Sequence, residues 1–392
     1  MSIEIRLLTE EDHFDHRLLM SHAFSKGNVV QPLPPDAPPP EMIGCWGLLE
    51  NGKLQAALTI DPFHVHWGPS DVLSLGGIAG VATFADARGR GFVDQLLKQS
   101  LLAMKAAGQT VSALYPFAFA FYRKYGWEWV GQKRNVSIPL RELKASPEGR
   151  KIEVLSGDGV REKLSDGYTQ FARRYRGVFT TETHRWQSKL DHSGNRTTYV
   201  YRYEPTGAYM LWRYDSDCGR VREFTAKTPE EYRAFLSLLH YFGTQTEKAR
   251  VTLPDDTPIQ SHLMHWDLNI EVEPVFMGRV VDFGAAMEQI TLPPDVPDGT
   301  MTLELNDEHA PWNHGIWELT VESGKLTVQT VVSRGGDADV TLDIQALSQA
   351  FWGHPSLAAL RYAGRVSFAN EDGYKLLAAL LPATPVYTLD DF

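Results

Sequence analysis

The residues with the clearest chemical meaning form a short basic turn rich in glycine, Arg88–Gly91, which reads RGRG. An apolar run, Ile78–Phe84, comes before the turn, and a helical apolar pattern begins at Phe92. Glycines at such a turn let the backbone approach a ligand closely, and the amides that open the helix point toward it. Because those amides and the helix dipole attract anions, the turn is a candidate cradle for a pyrophosphate group.

The spacing of the turn excludes two common nucleotide cradles. The chain has no G-x-x-x-x-G-K-[ST], so a P-loop is excluded, and no G-x-G-x-x-G followed by an acidic residue, so the dinucleotide fingerprint is excluded. What remains is Arg88-x-x-Gly91-x-Val93. A solvated basic turn between a strand and a helix is the alternative, and RGRG alone does not decide between the two.

A second group of residues follows the turn at short distance. The helical pattern that starts at Phe92 ends at Gly108, and an apolar strand is predicted over Thr110–Leu114. The segment Phe121–Trp127, FYRKYGW, then places the phenol of Tyr122 beside aromatic neighbours.

Together these features resemble the acetyl-CoA-binding domain of the GCN5-related N-acetyltransferases (GNAT), whose turn reads Q/R-x-x-G-x-G/A and whose tyrosine segment reads FYxKxGF. Val93 departs from the small residue of that pattern. The resemblance implies acetyl-CoA as cosubstrate and Tyr122 as the general acid near the departing sulfur. It also implies that the cofactor-binding residues are Val81, Thr83, Arg88, Gly89, Arg90, Gly91, Phe92 and Val93.

Length and charge narrow the class of protein. A chain of 392 residues predicts two or three domains. The net charge of −11 argues against a nucleic-acid surface and suits cationic substrates. Two cysteines, Cys45 and Cys218, form no disulfide framework. With no leader-like start and no run of 18 apolar residues, we expect no membrane association and a cytoplasmic protein.

The first predicted domain, residues 1–148, reads as an α/β unit of the GNAT type. A T-x-x-D pattern at Thr9 predicts a helix start, and Asn51-Gly52 predicts a tight hairpin turn. The predicted elements are the strand Ile3–Leu7, the helix Glu10–Ser25, a Pro-rich surface loop Val30–Pro40, the hairpin Met42–Glu50 with Lys53–Phe63, and a central strand Val72–Thr83.

The second predicted domain, residues 149–288, is again α/β and follows a linker at Ala145–Gly149. It contains no second R-x-x-G-x-G/A, so we predict a GNAT-like domain that lacks the CoA turn. Its predicted elements are the helix Glu162–Arg174, the hairpin Thr197–Tyr203 with Ala208–Asp215, the strand Val221–Ala226 and the helix Pro229–Thr244.

The third predicted domain, residues 289–392, resembles the sterol carrier protein-2 (SCP2) type, which is an α+β fold. A generic α+β cap without a ligand is the alternative. The predicted strands are Met301–Asn306, Gly315–Glu322, Lys325–Val332 and Val340–Asp343, and the predicted helices are Ile344–Phe351 and Glu371–Leu381.

Two GNAT-like domains followed by an SCP2-like domain resemble the Eis (enhanced intracellular survival) family of acetyltransferases. The resemblance implies direct acetyl transfer to small polycationic amines such as aminoglycosides, and a homo-oligomer. It also implies that the Phe392 carboxylate acts as the base and that Asp391 holds the cationic acceptor. A frayed terminus is the alternative for this tail.

Further residues have weaker assignments. His22, Phe24 and Trp46 are candidate walls of the acceptor pocket, with core packing as the alternative. The pairs His64-x-His66 and His309 with His314 have no third ligand at a suitable spacing, so we predict no metal site. A lipid-binding protein that works through its SCP2-like unit is the competing function.

Overall fold

The computed structural model describes residues 2–24, 42–190, 197–263, 268–332 and 338–390. Within these ranges no helix is long and apolar enough to cross a membrane. The strands are β1 (Ile3–Leu7), β2 (Cys45–Glu50), β3 (Lys53–Trp67), β4 (Asp71–Thr83), β5 (Val111–Leu114), β6 (Glu128–Pro139), β7 (Ile152–Leu155), β8 (Arg176–Phe179), β9 (Tyr199–Tyr203), β10 (Tyr209–Tyr214), β11 (Gly219–Phe224), β12 (Lys248–Pro254), β13 (Asn269–Val280), β14 (Gly299–Asn306), β15 (Gly315–Glu322), β16 (Lys325–Val331), β17 (Val340–Asp343) and β18 (Val366–Phe368). The helices are α1 (His13–Phe24), α2 (Phe92–Ala106), α3 (Phe119–Arg123), α4 (Val160–Ala172), α5 (Trp186–Leu190), α6 (Pro229–Phe242), α7 (Ile259–His262), α8 (Phe283–Glu288), α9 (Ile344–Trp352), α10 (Leu357–Tyr362) and α11 (Glu371–Leu380).

Local sequence signals at the start of the chain form as predicted. Thr9 and Asp12 make the capping box, although a short 3-10 helix precedes α1. Asn51 and Gly52 both have positive φ, 50° and 78°, as the tight turn between β2 and β3 requires. The predicted loop Val30–Pro40 lies outside the described residues.

One large sheet crosses the first two predicted domains. Its order is β1-β2-β3-β4-β5-β13-β6-β12-β11-β10-β9-β7, with β8 paired to β3. A second sheet, ordered β16-β15-β14-β17-β18, belongs to the third unit. The predicted linker Ala145–Gly149 runs into a 3-10 helix, Pro147–Lys151, and Gly149 packs against Ser237 of α6, so this segment is held by the second unit.

The first two units exchange a strand. β13, which comes from the second unit, lies between β5 and β6 of the first, with Met277 opposite both Leu114 and Trp129. β6 in turn pairs with β12 of the second unit. Sequence analysis predicts neither β6 nor β13, and the exchange makes the two units one continuous sheet.

The central strand and helix of the first unit pack closely. α2 buries its apolar stripe, including Phe92, Leu97 and Met104. A Cβ on Gly76 of β4 would lie 2.3 Å from the Met104 sulfur. Gly76 therefore makes room for α2.

The third unit has a filled interior and is tied to the sheet by buried charges. Large side chains such as Trp317, Phe351 and Trp352 belong to the cluster between its sheet and helices. Arg279 on β13 pairs with Asp307 at 2.8 Å, and both side chains are buried. The pair fixes the third unit against the strand that the first two units share.

Candidate functional site

The turn that precedes α2 leaves the start of that helix open. Gly91 is the N-cap with φ 76°, and no side chain caps the helix there. Gly89 also has positive φ, 74°. A Cβ built on either glycine meets nothing within 4 Å. Because the first amides of a helix have no partner inside the helix, the turn fits a phosphate group.

The two arginines of the turn differ in their contacts. Arg90 pairs with Glu50, with Nη1 to Oε2 at 3.0 Å, and lies 4.6 Å above the Phe92 ring. Arg88 lines the cavity beside the turn. Arg88 is therefore the arginine placed to contact a phosphate, and Arg90 braces the turn against β2.

A fork between two parallel strands lies beside the turn. The pairing of β4 with β5 ends at Ile78 opposite Leu114, but β4 continues to Thr83. In the part of the chain that the structure describes, no strand pairs with Ala79–Thr83 on this side. A bulge at Gly80, φ 56°, interrupts the ladder with β3. The fork leaves backbone groups of β4 available to an extended ligand.

A cavity of about 640 Å³ joins the fork and the turn. It is lined by seven of the eight predicted cofactor-binding residues, all except Arg90: Val81, Thr83, Arg88, Gly89, Gly91, Phe92 and Val93. Further lining residues are Ala23, Phe24, Ala82, Ala87, Asp94, Phe117, Phe121 and Tyr125. The size and the mostly apolar lining suit an organic ligand that ends in phosphates.

Two tyrosines lie at the cavity, one behind its wall and one in it. Tyr122 is buried and packs edge-on against Phe117 and Phe121, which line the cavity. Burial raises the pKa of the Tyr122 hydroxyl above its usual value, so this phenol stays protonated. Tyr125 lines the cavity itself; burial and the neighbouring Asp94 carboxylate raise its pKa. Both phenols therefore carry their proton at neutral pH, as a proton donor must.

Of the three predicted acceptor-pocket residues, only Phe24 lines the cavity. Phe24 at the end of α1 lines the cavity and is exposed. His22 lies with its ring 5.8 Å from that of Phe84, next to the turn. Trp46 on β2 packs against the apolar cluster of the first unit and is not among the lining residues.

The C-terminal tail reaches the first unit. The Tyr115 hydroxyl, directly after β5, donates to the Asp390 carbonyl at 2.6 Å. Asp391 and Phe392, the predicted acceptor ligand and base, lie outside the described residues. Tyr115 was missed by sequence reasoning, although its place after the predicted strand was a usable signal.

A second group of functional candidates also escaped sequence analysis. His184, Lys189, Glu223 and Asp390 form a buried charged cluster far from the turn along the chain. No spacing pattern links these positions. For metal binding, no group of three or more His, Cys, Asp or Glu occurs in the described ranges that could hold an ion.

Family models match most of the chain. Residues 4–130 and residues 174–280 each match an acetyltransferase (GNAT) domain, and residues 283–389 match a sterol carrier protein domain. The fold and the site thus define a tandem GNAT acyltransferase with a C-terminal sterol carrier domain.

Proteins that match this chain over most of its length are also described as N-acetyltransferases. An uncharacterized N-acetyltransferase of Streptomyces avermitilis is 24% identical over 373 residues, covering 86% of this chain and 85% of its own. The GCN5-related N-acetyltransferase of Anabaena variabilis (19% identity, TM-score 0.86) and Eis1 of Mycobacterium abscessus (19% identity, TM-score 0.79) share the fold over 100% of both chains. The chain therefore contains two GNAT domains and shares its overall fold with Eis1.

Proposed function

We propose that the protein transfers the acetyl group of acetyl-CoA to an amine of a small polycationic acceptor of the aminoglycoside type. The observation that carries the proposal is the meeting of three parts at one end of β5. They are the fork beside the Arg88–Gly91 turn, the buried Tyr122 and the tail that Tyr115 binds through Asp390.

The donor side follows from the backbone. The amides of the Arg88–Gly91 turn and the side chain of Arg88 would hold the pyrophosphate of acetyl-CoA. The exposed edge of β4 at Val81 and Thr83 would hold the pantetheine arm, which carries amide groups of its own. A donor held along this line places its thioester at the fork, next to α3 and the residues after β5.

Proton transfer needs one donor and one acceptor. A thiolate that leaves CoA must gain a proton, and Tyr122, whose pKa burial raises, holds one at neutral pH. An ammonium acceptor must lose a proton before its nitrogen can attack. We assign that role to the Phe392 carboxylate. The Asp390 carbonyl is held by Tyr115 directly after β5, and the two residues that follow can extend at most about 7 Å from there.

The acceptor class follows from charge. Asp94 lines the cavity, and the whole chain carries a net charge of −11. Asp391 would add a second carboxylate near the acceptor. A cationic amine is attracted to such a site before any specific contact forms.

The direct test follows the free thiol of CoA. The protein is mixed with acetyl-CoA and a panel of amines, an aminoglycoside, a polyamine and a lysine peptide, and a chromogenic reagent detects thiol. Cys45 and Cys218 are buried, so the protein itself should give little background. We expect release with the aminoglycoside above the rate without amine. No release with any amine would contradict the proposal and favour ligand binding by the sterol carrier unit.

A second test addresses the base. One glycine appended after Phe392 moves the terminal carboxylate by about 3.5 Å. We expect the rate to fall by roughly 100-fold while the affinity for acetyl-CoA stays unchanged. The matched control is the Phe392→Leu variant, which retains the carboxylate in place and should lose less activity. Equal turnover by the extended and the original chain would remove the carboxylate from the mechanism.

A further inference from the structure

We propose that the second GNAT unit serves as the anchor of the C-terminal tail, with His184, Lys189, Glu223 and Asp390 as a buried lock. The lock sets where the last residues stand at the site of the first unit. The consequence for turnover rests on the function proposed above, but the anchoring itself does not.

The tail is fixed over several residues before it reaches the lock. Arg176 of β8 donates its amide to the Pro385 carbonyl at 3.0 Å and accepts the Tyr387 amide at 3.1 Å. The Tyr387 ring is buried and packs against Phe171 and Tyr175. Backbone pairing together with a buried ring holds this stretch in one register.

The second unit has a fork of its own, and the tail lies on it. The parallel pairing of β11 with β12 ends at Val221 opposite Val251. On one arm, the Tyr387 hydroxyl donates to the carbonyl of Thr252, directly after the last paired residue, at 3.3 Å. On the other arm, Glu223 belongs to the lock that holds Asp390. The tail thus contacts both arms of this fork.

The lock is a balanced group of charges inside the protein. His184 Nδ1 lies 2.5 Å from Asp390 Oδ2, and its Nε2 lies 3.4 Å from Glu223 Oε2. Lys189 Nζ lies 3.6 Å from Glu223 and 3.7 Å from Asp390, and donates to the Leu389 carbonyl. The Tyr209 hydroxyl donates to the other oxygen of Glu223. With His184 protonated, two cations face two carboxylates.

Because the four side chains of the lock are buried, their charges resist any movement of Asp390. His184, Lys189, Glu223 and Asp390 are 4%, 8%, 2% and 1% exposed. When one member of a buried ionic group is lost, the remaining charges stay in a medium that solvates them poorly. If Asp390 left its place, the lock would keep one uncompensated positive charge. The tail is therefore held by its charge as well as by its shape.

Asp390 of the lock also contacts the first unit. The carbonyl of Asp390 accepts the Tyr115 hydroxyl at 2.6 Å, so one residue bridges the lock and the end of β5. Chain ends fray unless they are tied down. A lock one residue before the final pair restricts where that pair can reach. These four residues are positioning residues, since none of them needs to touch a substrate.

The test measures the tail without any substrate. A carboxypeptidase of broad specificity digests the native chain from its C-terminus, and intact mass spectrometry counts the residues removed. The wild-type chain should stop losing residues at or before Asp390. Asp390→Asn, Glu223→Gln and Tyr115→Phe should each allow digestion past Asp390 at least about tenfold faster.

The control is another buried carboxylate of the same unit. Glu231 is fully buried in α6 and bonds to Thr206, Lys227 and Thr228, not to the tail. Glu231→Gln should be digested like the wild type. Tyr115→Phe removes one hydroxyl from a half-buried residue and remains informative if a lock variant fails to fold. Digestion of the Glu223→Gln and Tyr115→Phe variants at the wild-type rate would overturn the lock.

Kinetics separate this inference from the proposed function. In Glu223→Gln we expect kcat to fall by about tenfold with the KM for acetyl-CoA unchanged, because the donor site is untouched. Faster digestion without acetyl transfer by any chain would support the lock and contradict the proposed function. If the wild type transfers acetyl groups but Glu223→Gln shows the same digestion rate and kcat as the wild type, the proposed function would be supported and the lock contradicted.

Discussion

The two GNAT units contain the same strand–helix–strand arrangement but differ where the helix begins. In the first unit β4, α2 and β5 follow one another, with β4 and β5 parallel. In the second, β11, α6 and β12 repeat this order, with β11 and β12 parallel. α2 begins at Gly91 with no side chain on its amides. α6 begins at Thr228 with a complete capping box.

The cap of α6 fills the place that an anion could take. The Glu231 carboxylate is buried and accepts from the amides of Lys227 and Thr228, while Thr228 caps the Glu231 amide. Pro229, at the first helical position, has no backbone N–H group that could bind an anion. A helix start that carries its own carboxylate already has a negative charge where a phosphate would bind. The second unit has thus kept the scaffold and closed the cradle.

The comparison also extends to the forks and the phenol. The fork of the first unit opens into the cavity, whereas the fork of the second contacts the tail through Thr252 and the Glu223 lock. After β5 comes α3 with Tyr122, and after β12 comes α7, IQSH, without a tyrosine. Under the two proposals above, one fold provides a reaction site in one copy and an anchoring site in the other.

The largest expected effect tests Tyr122, the phenol of α3 that has no counterpart in α7. Tyr122→Phe removes the proton donor but keeps the ring among its aromatic neighbours, so kcat should fall by roughly 100-fold. Tyr125→Phe is the matched control and should cost less than about tenfold. Steady-state rates at saturating acetyl-CoA decide between them, and a greater loss in Tyr125→Phe would assign the acid to Tyr125.

The next effect is a pH dependence specific to the second unit. Burial opposes a charge on His184, but Glu223 and Asp390 outweigh it and raise its pKa to about 9 from 6.5. A raised pKa gives stability that is complete below about 6.5 and is lost as the pH rises through about 9. The pKa values of Tyr168 and Tyr209 lie well above this range.

Denaturant unfolding of the wild type and His184→Gln between about pH 6 and about pH 10 measures that loss. The stability advantage of the wild type should shrink by on the order of a few kcal/mol over the range. A constant advantage would mean that His184 is neutral in the folded protein, and the charge balance of the lock would be wrong.

The smallest effect concerns the open helix start. Gly91→Ala places a methyl group where the phosphate would lie and strains a residue of positive φ, so the KM for acetyl-CoA should rise by about tenfold. Gly108→Ala, at the other end of α2 with φ 71° and equally open space, carries the same strain without the contact. Both should lose about 1 kcal/mol of stability. An equal KM in both variants would remove the turn from donor binding.

Much of the local structure could be predicted because its signals are local. The turn at Asn51-Gly52, the box at Thr9 and the glycines before α2 act within a few residues. The lining of the cavity followed from the same segment, since a strand, a turn and a helix in succession already fix their relative directions. Gly76 shows the limit of prediction from sequence. A glycine that makes room for the Met104 side chain cannot be distinguished, in sequence, from one that makes room for a ligand.

The exchange of β13 and the lock could not be predicted in this way. β13 contacts β5 and β6 from more than a hundred residues away, and Asp390 meets His184 across 206 positions. Such contacts depend on how whole units pack, and no repeating pattern in the sequence indicates them.

The sequence by itself determined the glycine turn before α2 and the position of Tyr122, because backbone propensity and short spacing are enough for each. The order of the three units came from their resemblance to known families. Only the tertiary structure decided that the second unit closes its cradle with Glu231 and binds the tail at its fork. The physical reason is burial: a carboxylate, a histidine and a lysine become a lock only where the fold removes them from water together.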